Sequence, residues 1–187
     1  MSMELLAAPF LAKPTGYYAD ADAMSARLEH LEDILISLAH IASVDAFQAW
    51  VYTDPQGADA DARDLKWLEL RQKFEPGVSW SGLEAERVSR WYRQLHIFLY
   101  PFYYIEYAIA QIGALQVWRN ARSDPAGAVA AYRQFMSLGA TRPLPDLYRA
   151  AGVELSFDVG LLTELVGLVE LEMAQLRSHL TGSAVAP

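Results

Sequence analysis

The stretch Asp20–Ala42, DADAMSARLEHLEDILISLAHIA, decides the fold. Its apolar residues Met24, Leu28, Leu31, Leu35, Leu38 and Ala42 recur at alternating steps of four and three, the spacing that lines one face of a helix. The helix begins near Asp20 or Asp22. Residues Ile41 to Tyr52 can continue it as far as the turn signal Thr53-Asp54-Pro55-Gln56-Gly57.

The same pattern extends on both sides. Ser2 to Lys13 read as a short apolar helix ended by Pro14 and Gly16. A third helix, about Asp61 to Phe74, carries Leu65, Leu68 and Leu70 with Trp67, and Pro76-Gly77 stops it. Ser81-Gly82-Leu83-Glu84 has the form of a capping box, which predicts a fourth helix running to about Leu95 with Trp91 on its apolar side. Pro101 suits the first turn of the next helix, where its missing N–H would have no partner anyway. His96 to Tyr100 would then be a connector, and the helix continues through Ile109, Ile112, Leu115 and Trp118. Asp124-Pro125 starts the following helix and Gly139 ends it. Pro145 to Ala151 form a short one closed by Gly152 in the left-handed position. Asp158 caps the last, with Leu162, Leu165, Val169, Met173, Leu176 and Leu180 as its stripe, and the tail from Thr181 to Pro187 frays. No sustained period-two run and no Asn-Gly or Asp-Gly hairpin occurs, so the fold class is all-α, a multi-helix array.

Composition narrows the function classes. At 187 residues the chain is one domain or a piece of a larger one, and it is read as a single helical domain over 1–187. Fifteen basic against 23 acidic residues give a net charge of −8, which argues against a nucleic-acid or anionic-membrane surface. The absence of cysteine excludes disulfides and thiolate metal sites. No signal-peptide pattern opens the chain, and no apolar run approaches the ~18 residues of a membrane span. A cytoplasmic protein with neither nucleic acid nor membrane as partner is expected. Asp54, Asp59, Asp61 and Asp64 lack the glycine and glutamate spacing of a helix-loop-helix calcium site, so helix capping is the better reading. Di-iron bundles need Glu three residues before His, and here those positions are Arg27, Ser37, Arg93 and Leu176. Phosphate-cradling glycine loops and a G-x-S-x-G elbow are missing.

The chemistry concentrates in one run, His96-Ile97-Phe98-Leu99-Tyr100-Pro101-Phe102-Tyr103-Tyr104-Ile105-Glu106-Tyr107. Each buried phenol must find a hydrogen-bond partner or cost roughly 1–3 kcal/mol, so a core has little use for four of them. Such a run suggests a cleft wall whose donors face a polar ligand; the other reading is a Tyr-rich helix packed on its neighbours. Glu106 has the chemistry of a general base, although pairing with a helix neighbour or solvent explains it better. No nucleophile can be named.

The segments HIFLYPFYYIEYAIAQIGALQVW (96–118) and DPAGAVAAYRQFMSLGATRPLPDLYRAAGV (124–153) resemble the C-terminal helical part of the oligoendopeptidase F / thimet oligopeptidase-like family of zinc metallopeptidases. VDAFQAWVYTDP (44–55) and RDLKWLELRQKFEPGVSWSGLE (63–84) are similar to it as well, so the resemblance covers nearly the whole chain. It implies the C-terminal part of a zincin-like helical catalytic domain. That family binds zinc through H-E-x-x-H, two histidines one turn apart with the Glu as general base, plus a later Glu. This chain departs from it: His30, His40, His96 and His179 include no pair at i, i+4, so no metal ligand and no catalytic residue is assigned. SMELLAAPFLAK (2–13) resembles the helix that follows the third ligand, which makes Glu4 at most a second-shell carboxylate, or a helix-dipole charge.

The resemblance therefore implies the C-terminal, cleft-forming part of a zinc-dependent oligoendopeptidase acting on short peptides, inactive alone, with zinc only in the full-length protein. It implies substrate contacts from His96, Tyr103, Tyr104 and Tyr107, together with Tyr100. The alternative is a stand-alone, non-catalytic helical scaffold or interaction protein. With 53% hydrophobic residues, above the ~45–50% usual in soluble domains, a homodimer is also expected, its interface including Leu5, Leu6, Phe10 and Leu11 of the first helix.

Overall fold

The computed structural model describes residues 1–183, and side chains as far as residue 181. Nine α-helices lie among the described residues: α1 (Ser2–Ala7), α2 (Asp20–Thr53), α3 (Ala60–Phe74), α4 (Glu84–Ser89), α5 (Leu95–Leu99), α6 (Ile105–Ser123), α7 (Pro125–Leu138), α8 (Leu144–Ala150) and α9 (Val159–Ser183). They contain no β-strand; the one isolated bridge joins Ala12 and Tyr18. The all-α reading holds. The chain divides into two compact units, one of Met1–Leu35 with Ile109–Pro187, the other of Ile36–Ala108.

Helix starts follow the predicted capping chemistry in most places. Asp59 accepts from the Ala62 amide at the head of α3, Asp124 from Gly127 at α7, and Asp158 from Gly160 and Leu161 at α9. Asp54 caps a single 3₁₀ turn over Pro55–Ala58. Gly139 and Gly152 close α7 and α8 at positive φ, where a Cβ would be strained. Thr181 to Ser183 complete α9, and the rest of the tail expected to fray, Ala184 to Pro187, lies outside the described residues.

Several expectations are corrected. The first helix stops at Ala7 and gives way to a 3₁₀ turn over Ala8–Phe10, since Pro9 supplies no amide to an α-helical ladder. Leu5 is buried, so of the apolar residues expected at an interface only Phe10 is openly exposed. In α2 the buried line is Ala23, Leu31, Ile34, Ile41, Val44 and Phe47, whereas Met24, Leu28, Leu35, Leu38 and Ala42 are half-buried. A stripe repeating every 3.5 residues drifts by ~20° per heptad around a straight helix, and over 34 residues it leaves the face that packs. By length and composition alone α2 is apolar enough to cross a membrane, contrary to the expectation that nothing here would be. Core helices meet the same criterion, and five of its large apolar side chains are buried. Leu65 of α3 is exposed; Trp67, Leu70 and Arg71 form the buried face.

The predicted fourth helix breaks in three. Glu84 reaches back to the Gly82 amide, but Ser81 makes no cap, and α4 ends at Ser89 in a 3₁₀ turn over Arg90–Arg93. His96 lies within α5 rather than in a connector. Pro101 does not open a helix: Phe102 takes φ +60, and α6 starts only at Ile105.

In the first unit, Val117, Tyr148, Ala151 and Val153 form a core with Leu6, Ile109, Tyr132 and Phe135 packed on it. Two polar side chains one turn apart on α6 hold the segment after α8. Gln116, 1% exposed, donates to the Glu154 carbonyl (2.8 Å) and accepts its amide (2.9 Å), while Asn120 donates to the Gly152 carbonyl (2.8 Å). Glu172 of α9, 8% exposed, is gripped by Arg27 (2.5 Å) and Arg122 (2.6 Å). The Tyr148 hydroxyl donates to the Ile109 carbonyl (2.8 Å), which lays its ring on Gly113.

A Cβ at Gly113 would stand 2.9 Å from both the Tyr148 hydroxyl oxygen and a ring carbon. Overpacking of that kind costs about 1–3 kcal/mol, against the ~1 kcal/mol that alanine adds as a helix former. Gly113→Ala is therefore expected to lower the urea-unfolding free energy by ~1 kcal/mol. A more stable variant would show that the ring is free to move away.

Candidate functional site

The second unit is built on Val44, Phe47, Trp67, Leu70, Trp91 and Ile97. Phe47 meets the rings of Trp67 and Trp91 at 5.4 and 5.2 Å, so α2, α3 and the turn before α5 share one aromatic core. From that core Gln48, fully buried on α2, donates to the His96 backbone carbonyl (3.1 Å) and pins α5 at the residue the sequence singled out. Trp91 is fixed in turn by its indole N–H to Asp64 (2.9 Å).

The structure brings all five aromatic candidates together. The rings of Tyr100, Tyr103, Tyr104 and Tyr107 lie 5.9, 5.9, 5.0 and 5.9 Å from the His96 ring, Tyr103 nearly parallel to it and Tyr107 edge-on. The Pro101–Phe102 turn makes this possible, because it reverses the chain between α5 and α6 and returns the phenols to the imidazole. Tyr100, Tyr103 and Tyr107 are exposed, and His96 and Tyr104 are half-buried. The cluster is a surface wall with a buried footing. Glu106, weighed as a base, points to solvent beside it.

Hydrogen bonds fix the imidazole. The Gln94 amide nitrogen lies 3.0 Å from His96 Nδ1 and can only donate, so Nδ1 accepts and the ring N–H is on Nε2. That N–H faces the Tyr107 hydroxyl at 3.4 Å. Gln94 also bonds Tyr104, whose phenol is nonetheless raised above its ordinary value by burial. No hydrogen bond is made by the Tyr100 and Tyr103 hydroxyls among the described residues, only ring contacts. The arrangement therefore offers an N–H and several O–H donors to a polar backbone while presenting aromatic faces to its side chains.

Beneath the wall lies a group the sequence reading did not find. Arg71, 3% exposed, donates to His40 Nδ1 (2.9 Å), pairs with Glu75 and stacks its guanidinium over the Trp67 ring at 5.3 Å. Since arginine only donates, His40 is also a neutral Nε2–H tautomer. Burial first, then the charges of Arg71 and Arg90, holds the His40 pKa below its usual value, against an opposing hydrogen bond that the ring donates to Gln94. Arg71 is itself lowered to about 10 by burial and by Arg90 and Arg87. Gln94 thus touches both histidines. One signal was present: Trp67, Leu70 and Arg71 stand at i, i+3 and i+4, which puts the cation on the buried face.

Glu4 lies in the other unit. It is largely exposed, bonded to the Met1 amino group (2.5 Å), with His30 Nε2 at 3.9 Å; the amino group is the first cause of its lowered pKa. Among the described residues no three His, Asp or Glu side chains converge to hold a metal ion. The aspartates of the 54–64 segment serve as caps at Asp54 and Asp59 and as an acceptor for Trp91 and Tyr92 at Asp64.

Residues 1–166 match peptidase family M3, and the chain belongs to that family. Three solved structures are similar to it: PZ peptidase A with an inhibitor (31% identity, TM-score 0.80, covering 95% of this chain and 30% of that one), a protein titled oligoendopeptidase F (34%, 0.73, 82% and 27%), and a Bacillus anthracis protein of the same title (27%, 0.69, 93% and 27%). The chain thus spans under a third of the length of each of these. No curated protein matches it.

Burial of neutral His40 has a pH consequence. The unfolded chain binds the proton more readily, so His40 contributes stability that is complete above the unfolded value near 6.5 and is lost as pH falls through and below it. Gln at this position still accepts from Arg71 but does not titrate. The stability advantage of the unmodified chain over His40→Gln, followed by urea melts, is expected to shrink from about pH 7.5 towards about pH 5. Parallel curves would show that His40 is not held neutral.

Proposed function

We propose that this chain forms one wall of the substrate cleft of a zinc-dependent oligopeptidase of family M3, and that the wall binds the backbone of short peptides. The observation that carries the reading is the ring of four phenols around His96, three of them exposed, with its Nε2 turned to the Tyr107 hydroxyl. Tyr100, Tyr103 and Tyr107 offer free or weakly engaged hydroxyls, and Tyr104 braces the cluster from below. His96 and these tyrosines are the substrate-binding residues of the proposal, and Glu4 stays outside the wall.

The described residues do not fit a zinc site. In this reading the metal and the general base come from sequence outside the chain. What this chain supplies is a set of preorganised donors that can strengthen on the oxygen of a carbonyl under attack. The chain's share of its structural relatives, about 30% of PZ peptidase A, supports a piece of a larger catalytic domain over an independent scaffold.

The test has two parts. Dialysed chain alone is expected to hold no stoichiometric zinc and to hydrolyse no peptide. Joined to a family upstream half carrying H-E-x-x-H, it is expected to be active, and His96→Gln should then lower kcat about 10²-fold with little change in KM. Unchanged kcat in both His96→Gln and Tyr103→Phe would overturn the wall as a substrate contact.

Association of the isolated chain in the cytoplasm belongs to the same proposal. Met3 and Phe10 are each 60% exposed, and a symmetric dimer is the commonest way to cover such residues. Light scattering at tens of micromolar is expected to report a dimer that Phe10→Asp dissociates. A monomer for the unmodified chain would remove the dimer.

A further inference from the structure

A cavity of about 180 Å³ opens beside the wall, lined by His40, Trp67, Arg90, Arg93 and Gln94. Every one of these side chains carries a hydrogen-bond donor, and none is a carboxylate. Trp67 is 1% exposed, and its indole N–H has no hydrogen-bond partner. A buried N–H left unpaired costs about 1–3 kcal/mol, and such groups in native structures call for an explanation. Neither Arg90 nor Arg93 forms an ion pair among the described residues; Arg90 lies over the Trp80 ring at 5.3 Å. The nearest acid in the network, Glu75, is already engaged by Arg71.

Arg90 and Arg93 therefore bring positive charge to the cavity without a counterion among the described residues, in a chain whose net charge is −8. Arg71 and Arg90 each act on His40, which lines the cavity with Arg90 and Arg93, so the space is electropositive although Arg71 itself is paired with Glu75. Like charges so placed repel unless an anion joins them. The exposed Arg90 and Arg93 can both turn to the mouth, and the planar guanidinium suits a carboxylate, which it can hold with two parallel bonds. The space admits a carboxylate and the few atoms attached to it. Gln94 belongs to both this cavity and the His96 wall, so the two are one side chain apart.

We propose that the Arg90–Arg93–Trp67 pocket binds a carboxylate of the peptide that lies along the His96 wall, which rests on the peptide-binding reading above. The carboxylate comes either from the peptide's C-terminus or from an acidic side chain. A C-terminal carboxylate seated there would measure the distance from the wall to the end of the peptide and so favour short substrates.

Three blocked tetrapeptides titrated calorimetrically into the intact chain test this: N-acetyl-Ala-Phe-Gly-Ala as the free acid, its C-terminal amide, and an amide with Glu replacing the last Ala. The acid is expected to bind at least about tenfold more tightly than the plain amide, and Arg93→Gln or Arg90→Gln to abolish the difference. Both arginines are exposed, so the variants keep the fold, which thermal melts verify. Tight binding by the Glu amide assigns the carboxylate to a side chain, and weak binding assigns it to the C-terminus. Equal affinity for acid and both amides overturns the pocket while the peptide wall stands. Arginine-dependent binding of propionate with no binding of any peptide upholds an anion site but overturns the peptide as its source. Binding of none of these probes overturns both.

Discussion

The second unit depends on one buried cation. Arg71 has almost no contact with solvent, and a guanidinium cannot shed its proton at any ordinary pH, so its donors must be met by the protein. The Trp67 face, His40 Nδ1 and the Glu75 carboxylate meet them, and each of those partners is fixed by doing so. His40 becomes a neutral Nε2–H ring, Gln94 is oriented between the two histidines, and His96 turns its own N–H outward towards Tyr107. The orientation of a half-buried imidazole thus traces through Gln94 to a charge in the core. Removing such a charge leaves its partners unpaired, which is the costly way to break a buried ion pair.

The first unit solves a related problem without a buried cation of that kind. The segment after α8 has no regular backbone ladder, so its peptide groups are satisfied by side chains of α6: Gln116 takes both the amide and the carbonyl of Glu154, and Asn120 takes the Gly152 carbonyl. Gly113 and Tyr148 bring α8 close to the same helix. Glu172 between two arginines ties α9 to both Arg27 and Arg122. Charge and amide pairs here hold the backbone, whereas in the second unit they also orient a ring N–H towards the surface.

That difference suits the proposed role. A wall that binds peptide backbone needs donors that are rigid, exposed and not already satisfied, because loosely held donors lose much of their effect on a developing charge. Rings packed on rings around His96 provide the rigidity, and Tyr100 and Tyr103 keep hydroxyls free. The chain belongs to family M3 and is similar in fold to PZ peptidase A and the oligoendopeptidase F structures, of each of which it spans under a third.

The sequence by itself determined the helical class, the long second helix, and the caps at Asp59, Asp124 and Asp158, because periodicity and capping act within a few residues along the chain. It also marked His96 and its four tyrosines, since such a density of phenols is chemically conspicuous. Local signals did not resolve the Pro101–Phe102 reversal, where proline read as a helix start but the left-handed Phe102 delayed α6 to Ile105. Nor did they place the true buried line of α2, because small phase differences accumulate over 34 residues and only the neighbouring helices choose a face. From His40 through Arg71 to Arg90, Arg93 and Gln94, the residues of this network and its small pocket are spread over 54 positions of the chain, the separation of His40 and Gln94. Tertiary structure alone brings them together, since long-range packing, not helical spacing, sets which side chains share a buried space.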